Sequence, residues 1–240
     1  MSIDLARDTW LERARVLSPE RAVHPDTRWL AYDLWTRRML QRWTLRRLRA
    51  DRPRFRRVVD LGCGFGDWTV RLGALSDELH ACELAPELAA EAQRRLAGHR
   101  AARVECADIR DWEVPRGLDL AYLGGVLMYL SDREATDVVR RVRAAAAPGA
   151  LVVIRDFCAF GRGRRSEDAR TGTIYRRVSE LVAIAQRVGL CVERVRSSPS
   201  IYGEVMGGPV LGWPLRAVWR VATLHWARAS HTVIARAIGC

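Results

Sequence analysis

The chain has 240 residues, 49% hydrophobic and 28% charged, a balance that supports a sizeable buried core and excludes disorder along its length. Its formal net charge of +12 admits nucleic acid or an anionic membrane surface as a partner, but all 40 basic residues are arginine, and that skew weakens any argument from arginine abundance. No apolar run approaches the ~20 residues of a spanning helix.

The N-terminus, MSIDLARDTW, has acids where a secretory leader carries a basic patch and an apolar core, so a cytoplasmic location is expected. Six dispersed cysteines and five histidines lack paired or metal-ligand spacing; buried free thiols and no metal are expected. Residues 4–17 predict a helix, broken by Ser18-Pro19. A longer helix is predicted from Thr27 to Ala50, with Trp29, Leu30, Leu34, Trp35, Leu45 and Leu48 on a broad apolar face. Pro53 closes this region. Residues 1–52 read as a helical lid on the substrate side and 53–240 as the core. The arginines between Arg37 and Arg57 form either a solvated helix face or a nucleic-acid site. The solvated face is preferred, because no aromatic-basic module or zinc-finger spacing accompanies them.

From Arg57 the rhythm changes. Short apolar runs at Val58–Leu61, Leu79–Glu83, Arg103–Cys106, Leu118–Leu123 and 151–155 predict buried strands. They alternate with predicted helices at 67–75, 86–97, 131–146 and 174–188. This alternation specifies an α/β fold with a mostly parallel sheet and helices on both faces. Residues 191–196 and 231–238 predict a sixth and a seventh strand with no full crossover between them, so the two are expected to pair antiparallel at the edge of the sheet, the last strand being the antiparallel one. The stretch of about 203–230 between them carries Pro214 and an apolar face, and reads as an inserted helical arm. It packs over the domain or a second subunit, or lies on a membrane surface.

One turn stands out: VVDLGCGFGDW, with Asp60 before Gly62, Gly64 and Gly66. A strand, a glycine turn and a helix place backbone N–H groups around a crevice at the carboxyl edge of a sheet. A dinucleotide fingerprint would put its last glycine where Asp67 stands, and Asp60 would repel a pyrophosphate. A carboxylate there suits a ligand with a cationic group. No G-K-[ST] exists, which excludes a Walker A site.

This turn resembles the first motif of class I S-adenosylmethionine-dependent methyltransferases, and residues 57–190 resemble that family throughout. The resemblance implies a Rossmann-like seven-stranded sheet and S-adenosyl-L-methionine as cofactor, with S-adenosyl-L-homocysteine as product. It assigns Asp60, Gly62, Cys63, Gly64 and Gly66 to the methionine portion of the cofactor. Glu83 and its neighbour Leu84 fall at the ribose, where a carboxylate accepts from both hydroxyls. Asp108 and Ile109, in VECADIRDW, fall at the adenine edge, with Trp112 over the ring face. Leu123 and Gly124 fall beside the transferable methyl, with Tyr129 supplying packing or a hydroxyl.

The acceptor side is less determined. Asp156 and Tyr175 are candidate catalytic groups near the substrate, and Arg155 is a candidate anchor for a carboxylate or phosphate. An Arg155–Asp156 pair that merely fixes the loop is the competing reading. His24 is the first histidine to consider as a base, against a capping or surface role. Trp29, Tyr32 and Trp35 form an aromatic lid over the substrate or simply one hydrophobic helix face. These features point to a small, hydrophobic or aromatic acceptor of specialised metabolism, methylated on oxygen or nitrogen by a monomer or homodimer. The N/D-P-P-[FY] signature after the fourth strand is absent, which disfavours nucleic acid. Two rivals remain: a nucleic-acid or protein methyltransferase guided by the basic N-terminal region, and a scaffold that binds cofactor without turnover.

Overall fold

The computed structural model describes residues 2–23, 30–159, 165–201 and 228–237. Three helices lead the chain: α1 (Ser2–Val16), α2 (Pro19–Val23) and α3 (Leu30–Asp51). Then come β1 (Phe55–Leu61), α4 (Asp67–Gly73), β2 (Ser76–Glu83), α5 (Pro86–Arg95), β3 (Ala102–Cys106) and β4 (Leu118–Gly124). A single 3-10 turn at Leu127–Tyr129 precedes α6 (Asp132–Ala145) and β5 (Ala146–Ala159). A small hairpin of β6 (Ser166–Asp168) and β7 (Thr173–Tyr175) leads to α7 (Val178–Arg187), β8 (Leu190–Ile201) and β9 (Arg228–Ala237).

The main sheet has seven strands in the order β3-β2-β1-β4-β5-β9-β8. The first five are parallel, and β9 inserts antiparallel between β5 and β8. The order reverses between β1 and β4, so a crevice opens at their carboxyl ends, where ligands bind in open α/β sheets. Strand alternation divides the core. Val59, Leu61, Leu123, Val152 and Ile154 pack with α6 and α7 on one face. Val58, Leu120, Tyr122, Leu151 and Val153 pack with Leu48 of α3 and Trp68 and Leu72 of α4 on the other.

Local chemistry explains where elements begin and end. Ser131 caps α6: its Oγ accepts from the Glu134 amide at 3.3 Å, while the Glu134 carboxylate takes the Ser131 N–H at 2.9 Å. Gly66 caps α4 with φ 86°, and a Cβ there would come within 3.0 Å of the Ala92 backbone on α5. Its role is a tight start and close helix packing.

Several predicted elements are corrected. The expected helix over 174–188 starts only at Val178, because Thr173-Ile174-Tyr175 form β7 and pair with β6. These β-branched and aromatic residues suit a strand. Strand β5 continues to Ala159 because β9 partners it along that whole length. Residues 228–230, expected in the insertion, are already strand; 203–227 lie outside the described residues. Of the expected buried thiols, Cys63, Cys82 and Cys158 are buried, but Cys106 and Cys191 are exposed. Among the described residues no helix is long and apolar enough to cross a membrane.

Four arginines of the basic segment pair with acids. Arg52 pairs with Asp119 at 3.2 Å, Arg57 with Glu78 at 2.7 Å, Arg47 with Glu193 at 3.8 Å and Arg54 with Asp77. Arg38, Arg42, Arg46, Arg49 and Arg56 stay exposed and keep part of the segment as a basic surface.

Arg176 fixes the loop after β4. It is 2% exposed, and its Nη1 and Nη2 donate to the Leu127 and Leu130 carbonyls at 2.7 and 2.6 Å. Its Nε donates to Asp132 Oδ1 at 2.8 Å. Arg176→Met leaves both carbonyls without their donors, and we expect a loss of about 3 kcal/mol in urea unfolding. A change below about 0.5 kcal/mol would show that the loop is held by other contacts.

Candidate functional site

The site forms where β1, β2, β4 and β5 end. Asp60 is 1% exposed and accepts the Thr69 hydroxyl at 2.8 Å. Burial pushes its carboxyl up to about 7; the Thr69 hydrogen bond opposes this, and the charges of Glu83 and Asp67 add to it. The glycine turn follows with φ of 68°, 56° and 86° at Gly62, Gly64 and Gly66. The amides of Gly62 and Cys63 bond the Cys82 carbonyl at 2.9 and 3.0 Å, strapping the turn to β2.

Glu83, at the end of β2, is the hub. It is 2% exposed. Its Oε2 accepts the Gly64 amide at 2.9 Å, and its Oε1 accepts the Ala85 amide at 3.0 Å and the Trp10 indole N–H at 2.8 Å. Burial still raises its carboxyl above the ordinary range, against those hydrogen bonds. The indole of Trp10 also lies 5.7 Å from the Tyr129 ring, so α1 reaches across the cleft.

Asp108 and Ile109 follow β3. Burial opposes the ionisation of Asp108, but hydrogen bonds and charge from Arg110 outweigh it and hold the carboxyl below its usual range. Arg141 secures this turn by donating to the Ile109 and Trp112 carbonyls at 2.6 and 2.8 Å.

One cleft gathers Asp60, Gly62, Cys63, Gly64, Glu83, Leu84, Asp108, Ile109, Gly124, Tyr129, Arg155 and Tyr175. Tyr175 reaches it from β7 rather than from a helix start. Other expected residues are not there. Leu123 is fully buried in the core on the α6 side, and Trp112 packs into the same core rather than over a ligand face. Gly66 serves the α4–α5 contact.

Asp156 is not among the cleft-lining residues. Arg155 and Phe157 line the cleft, and strand alternation turns Asp156 to the opposite face, with Cys158. It is 2% exposed, and burial pushes its carboxyl up to about 7, against Arg176, Arg155 and the Val126 and Gly125 amides. A base role in the cleft does not follow from that position. His24 and Trp29 lie outside the described residues, and so do the side chains of Tyr32 and Trp35 on α3.

Sequence reasoning missed Trp10, Trp68 and Phe157 as cleft residues. Only Trp10 carried a signal. With Ala6 and Ala14, both buried, it makes a one-sided stripe at helical spacing that needs a packing partner.

A carboxylate-lined glycine turn at the switch point of a doubly wound sheet defines a Rossmann-like nucleoside-binding protein. The comparisons narrow that class. Residues 58–149 match the family model described as a methyltransferase domain. Phosphoethanolamine N-methyltransferase 1 of Arabidopsis thaliana is 28% identical over 122 residues, 50% of this chain. The chain spans about a quarter of the length of that curated relative, 25%. Among solved structures, a SAM-dependent methyltransferase of Leishmania major superposes with a TM-score of 0.68 at 16% identity, covering 95% of this chain and 82% of that one. Magnesium protoporphyrin IX methyltransferase of Synechocystis, solved with bound SAM, gives 0.66 at 13% identity, covering 98% and 97%. These likenesses show the fold. With the domain match over residues 58–149, they give the chain a methyltransferase-like fold.

The geometry tests whether such a cofactor suits this cleft. Asp60, Asp67 and Glu83 concentrate negative charge beside the turn, which a cationic ligand relieves. Glu83 Oε2 accepts the Gly64 amide and, as a carboxylate oxygen with two lone pairs, can also take a sugar hydroxyl. The residues fit.

Asp60 also makes a pH-dependent prediction. Its carboxyl is held up to about 7 in the unliganded fold against an ordinary 3.8, so folding favours the protonated form. The stability this contributes is present below about pH 4 and is lost as pH rises through about 7. Asp60→Asn should therefore stabilise the unliganded protein at pH 8 by about 1 kcal/mol, roughly 2–4 °C in Tm. The gain should shrink toward pH 4; a pH-independent difference in thermal melts counts against the assignment.

Proposed function

We propose that the chain transfers a methyl group from S-adenosylmethionine to an oxygen or nitrogen of a small, hydrophobic or aromatic molecule, in the cytoplasm. The observation that carries this reading is the single cleft joining Asp60, the glycine turn and Glu83 to the glycines after β4. The small-molecule aspect draws support from the curated relative, named for phosphoethanolamine, and from the neighbouring structure named for a porphyrin.

The bound cofactor supplies an activated methyl on a cationic sulfur. The rest is the work of this chain. Glu83 takes the ribose hydroxyls, and Asp60 faces the cationic amino acid portion. Asp108 accepts from the adenine amino group, beside Ile109. Gly124 and Gly125 leave the reacting end without a Cβ, so donor and acceptor approach in line. Trp10 and Tyr129 close the mouth and exclude water. Tyr175 offers a cleft hydroxyl to orient an acceptor or share its proton. In this reading Arg47, Arg52, Arg54 and Arg57 of the basic segment serve surface ion pairs.

Titration calorimetry with S-adenosylhomocysteine tests the reading. Binding is expected, and Glu83→Gln should weaken it by about tenfold or more, because the neutral amide is a poorer acceptor for two hydroxyls. Absence of heat and of any thermal shift with folded protein would overturn the assignment. A screen for cofactor turnover over phenols, amines and acids then identifies the acceptor.

A further inference from the structure

Arg155 is 3% exposed and lines the cleft, yet it makes no ion pair or hydrogen bond with any described residue, and its Nε is buried without a partner. The cleft's nearby acids are committed elsewhere. Asp60 accepts from Thr69, Asp67 from Gln41 and Arg71, and Asp168 pairs with Arg170. Asp156 points to the other face of β5. A buried guanidinium in this state is unfavourable unless an anion meets it.

A second unpartnered group stands beside it. Thr232 on β9 is the direct cross-strand partner of Arg155, is 1% exposed, and has a buried Oγ1 without a hydrogen bond. Arg155 shares its face with Leu151 and Val153, and Thr232 shares that same face with Ile234. One strand further, Arg196 is the register partner of Thr232 and lies 4.3 Å over the Trp43 ring, on the α3 side. Arginine, threonine and arginine thus form a row across β5, β9 and β8.

The surroundings are aromatic. Tyr122 and Trp68 stack at 4.4 Å, and the Phe157 ring lies 5.7 Å from the Arg155 guanidinium. Trp68, Tyr122, Arg155 and Phe157 line the cleft, and Thr232 lies behind Arg155 rather than among the lining residues. Arg155 is also the register partner of Gly124, at the end of β4. A Cβ at Gly124 would stand 2.4 Å from the Tyr122 ring, so the ring crosses that glycine. The anion site therefore adjoins the reacting end, one strand beyond it on the acceptor side.

We propose that the acceptor is an acidic aromatic or apolar molecule whose carboxylate or phosphate is anchored by the Arg155 guanidinium with the Thr232 hydroxyl beside it. This rests on the methyltransferase reading and names its substrate class. The guanidinium fork takes two oxygens of the anion, the hydroxyl donates to one, and Tyr122, Trp68 and Phe157 take the apolar body.

The test titrates 3-phenylpropanoate, phenyl phosphate and neutral 3-phenylpropanamide against the full chain, with and without S-adenosylhomocysteine. At least one acid is expected to bind about tenfold more tightly than the amide, and the stronger acid distinguishes carboxylate from phosphate. Arg155→Met should remove that preference, and Thr232→Val should reduce it by about threefold. Arg155→Met should also raise the Tm of the unliganded protein, since it replaces an unpaired buried charge. Both variants should bind S-adenosylhomocysteine within about threefold of the parent chain. Equal binding of acids and amide, or a preference that survives Arg155→Met, overturns the proposal. Loss of S-adenosylhomocysteine affinity beyond about tenfold in Arg155→Met also overturns it, by giving Arg155 to the cofactor's own carboxylate. If the parent chain binds no S-adenosylhomocysteine, the methyltransferase reading fails, and the acid-amide comparison on the unloaded protein still decides the anion site.

Discussion

Glu83 is buried where a carboxylate is tolerated only if donors converge on it. Among the described residues its donors come from different parts of the fold: the Gly64 amide from the turn after β1, the Ala85 amide at the start of α5, and the Trp10 indole from α1. One side chain therefore sets the shape of the glycine turn, the entry of a crossover helix and the position of the N-terminal helix over the cleft. A sugar hydroxyl that reaches Glu83 must share it with the indole or displace it. Occupancy of the cleft and the position of α1 are coupled through that carboxylate.

The cleft is also polarised along the sheet. Its β1–β2 end holds Asp60 and Glu83, both buried and both raised by desolvation. Its β5 end holds Arg155, buried and with no hydrogen bond to its Nε among the described residues. The glycines after β4 lie between them. Neither end satisfies the other, so the cleft carries charge of opposite sign at its two ends. In the proposed reading a cationic donor and an anionic acceptor each relieve one end, and their reacting atoms meet over residues without a Cβ. Such perturbed groups concentrated in one crevice are what functional sites show.

The parallel strands were legible because a strand buried on both faces reads as an apolar run, as in Val58-Val59 and Leu151–Ile154. The turn from Asp60 to Gly66 and the acids at Glu83 and Asp108 were legible because their roles depend on local order along the chain. What failed depends on register or distant contact. Asp156 and Arg155 are adjacent in sequence, and only their phase on β5 decides that Arg155 enters the cleft while Asp156 leaves it. β7 was hidden because Thr173-Ile174-Tyr175 abut a real helix and take their strand conformation from β6. Trp10 meets Glu83 across most of a domain, which no local pattern reports.

Arginine abundance illustrates the same limit. Arg165 is half-exposed and pairs with Asp132 at 2.5 Å, the kind of surface contact that contributes little. Arg176 is buried and spends its donors on two carbonyls and Asp132, so it holds a loop. Arg155 is as buried as Arg176 and has no such partners among the described residues. In sequence the three differ in nothing but position. Burial together with donor satisfaction separates surface, scaffold and ligand roles, and it does so without appeal to net charge. A coding preference for arginine can fill the first class freely. It does not account for the third, because an unmet buried guanidinium weakens the fold unless binding an anion compensates.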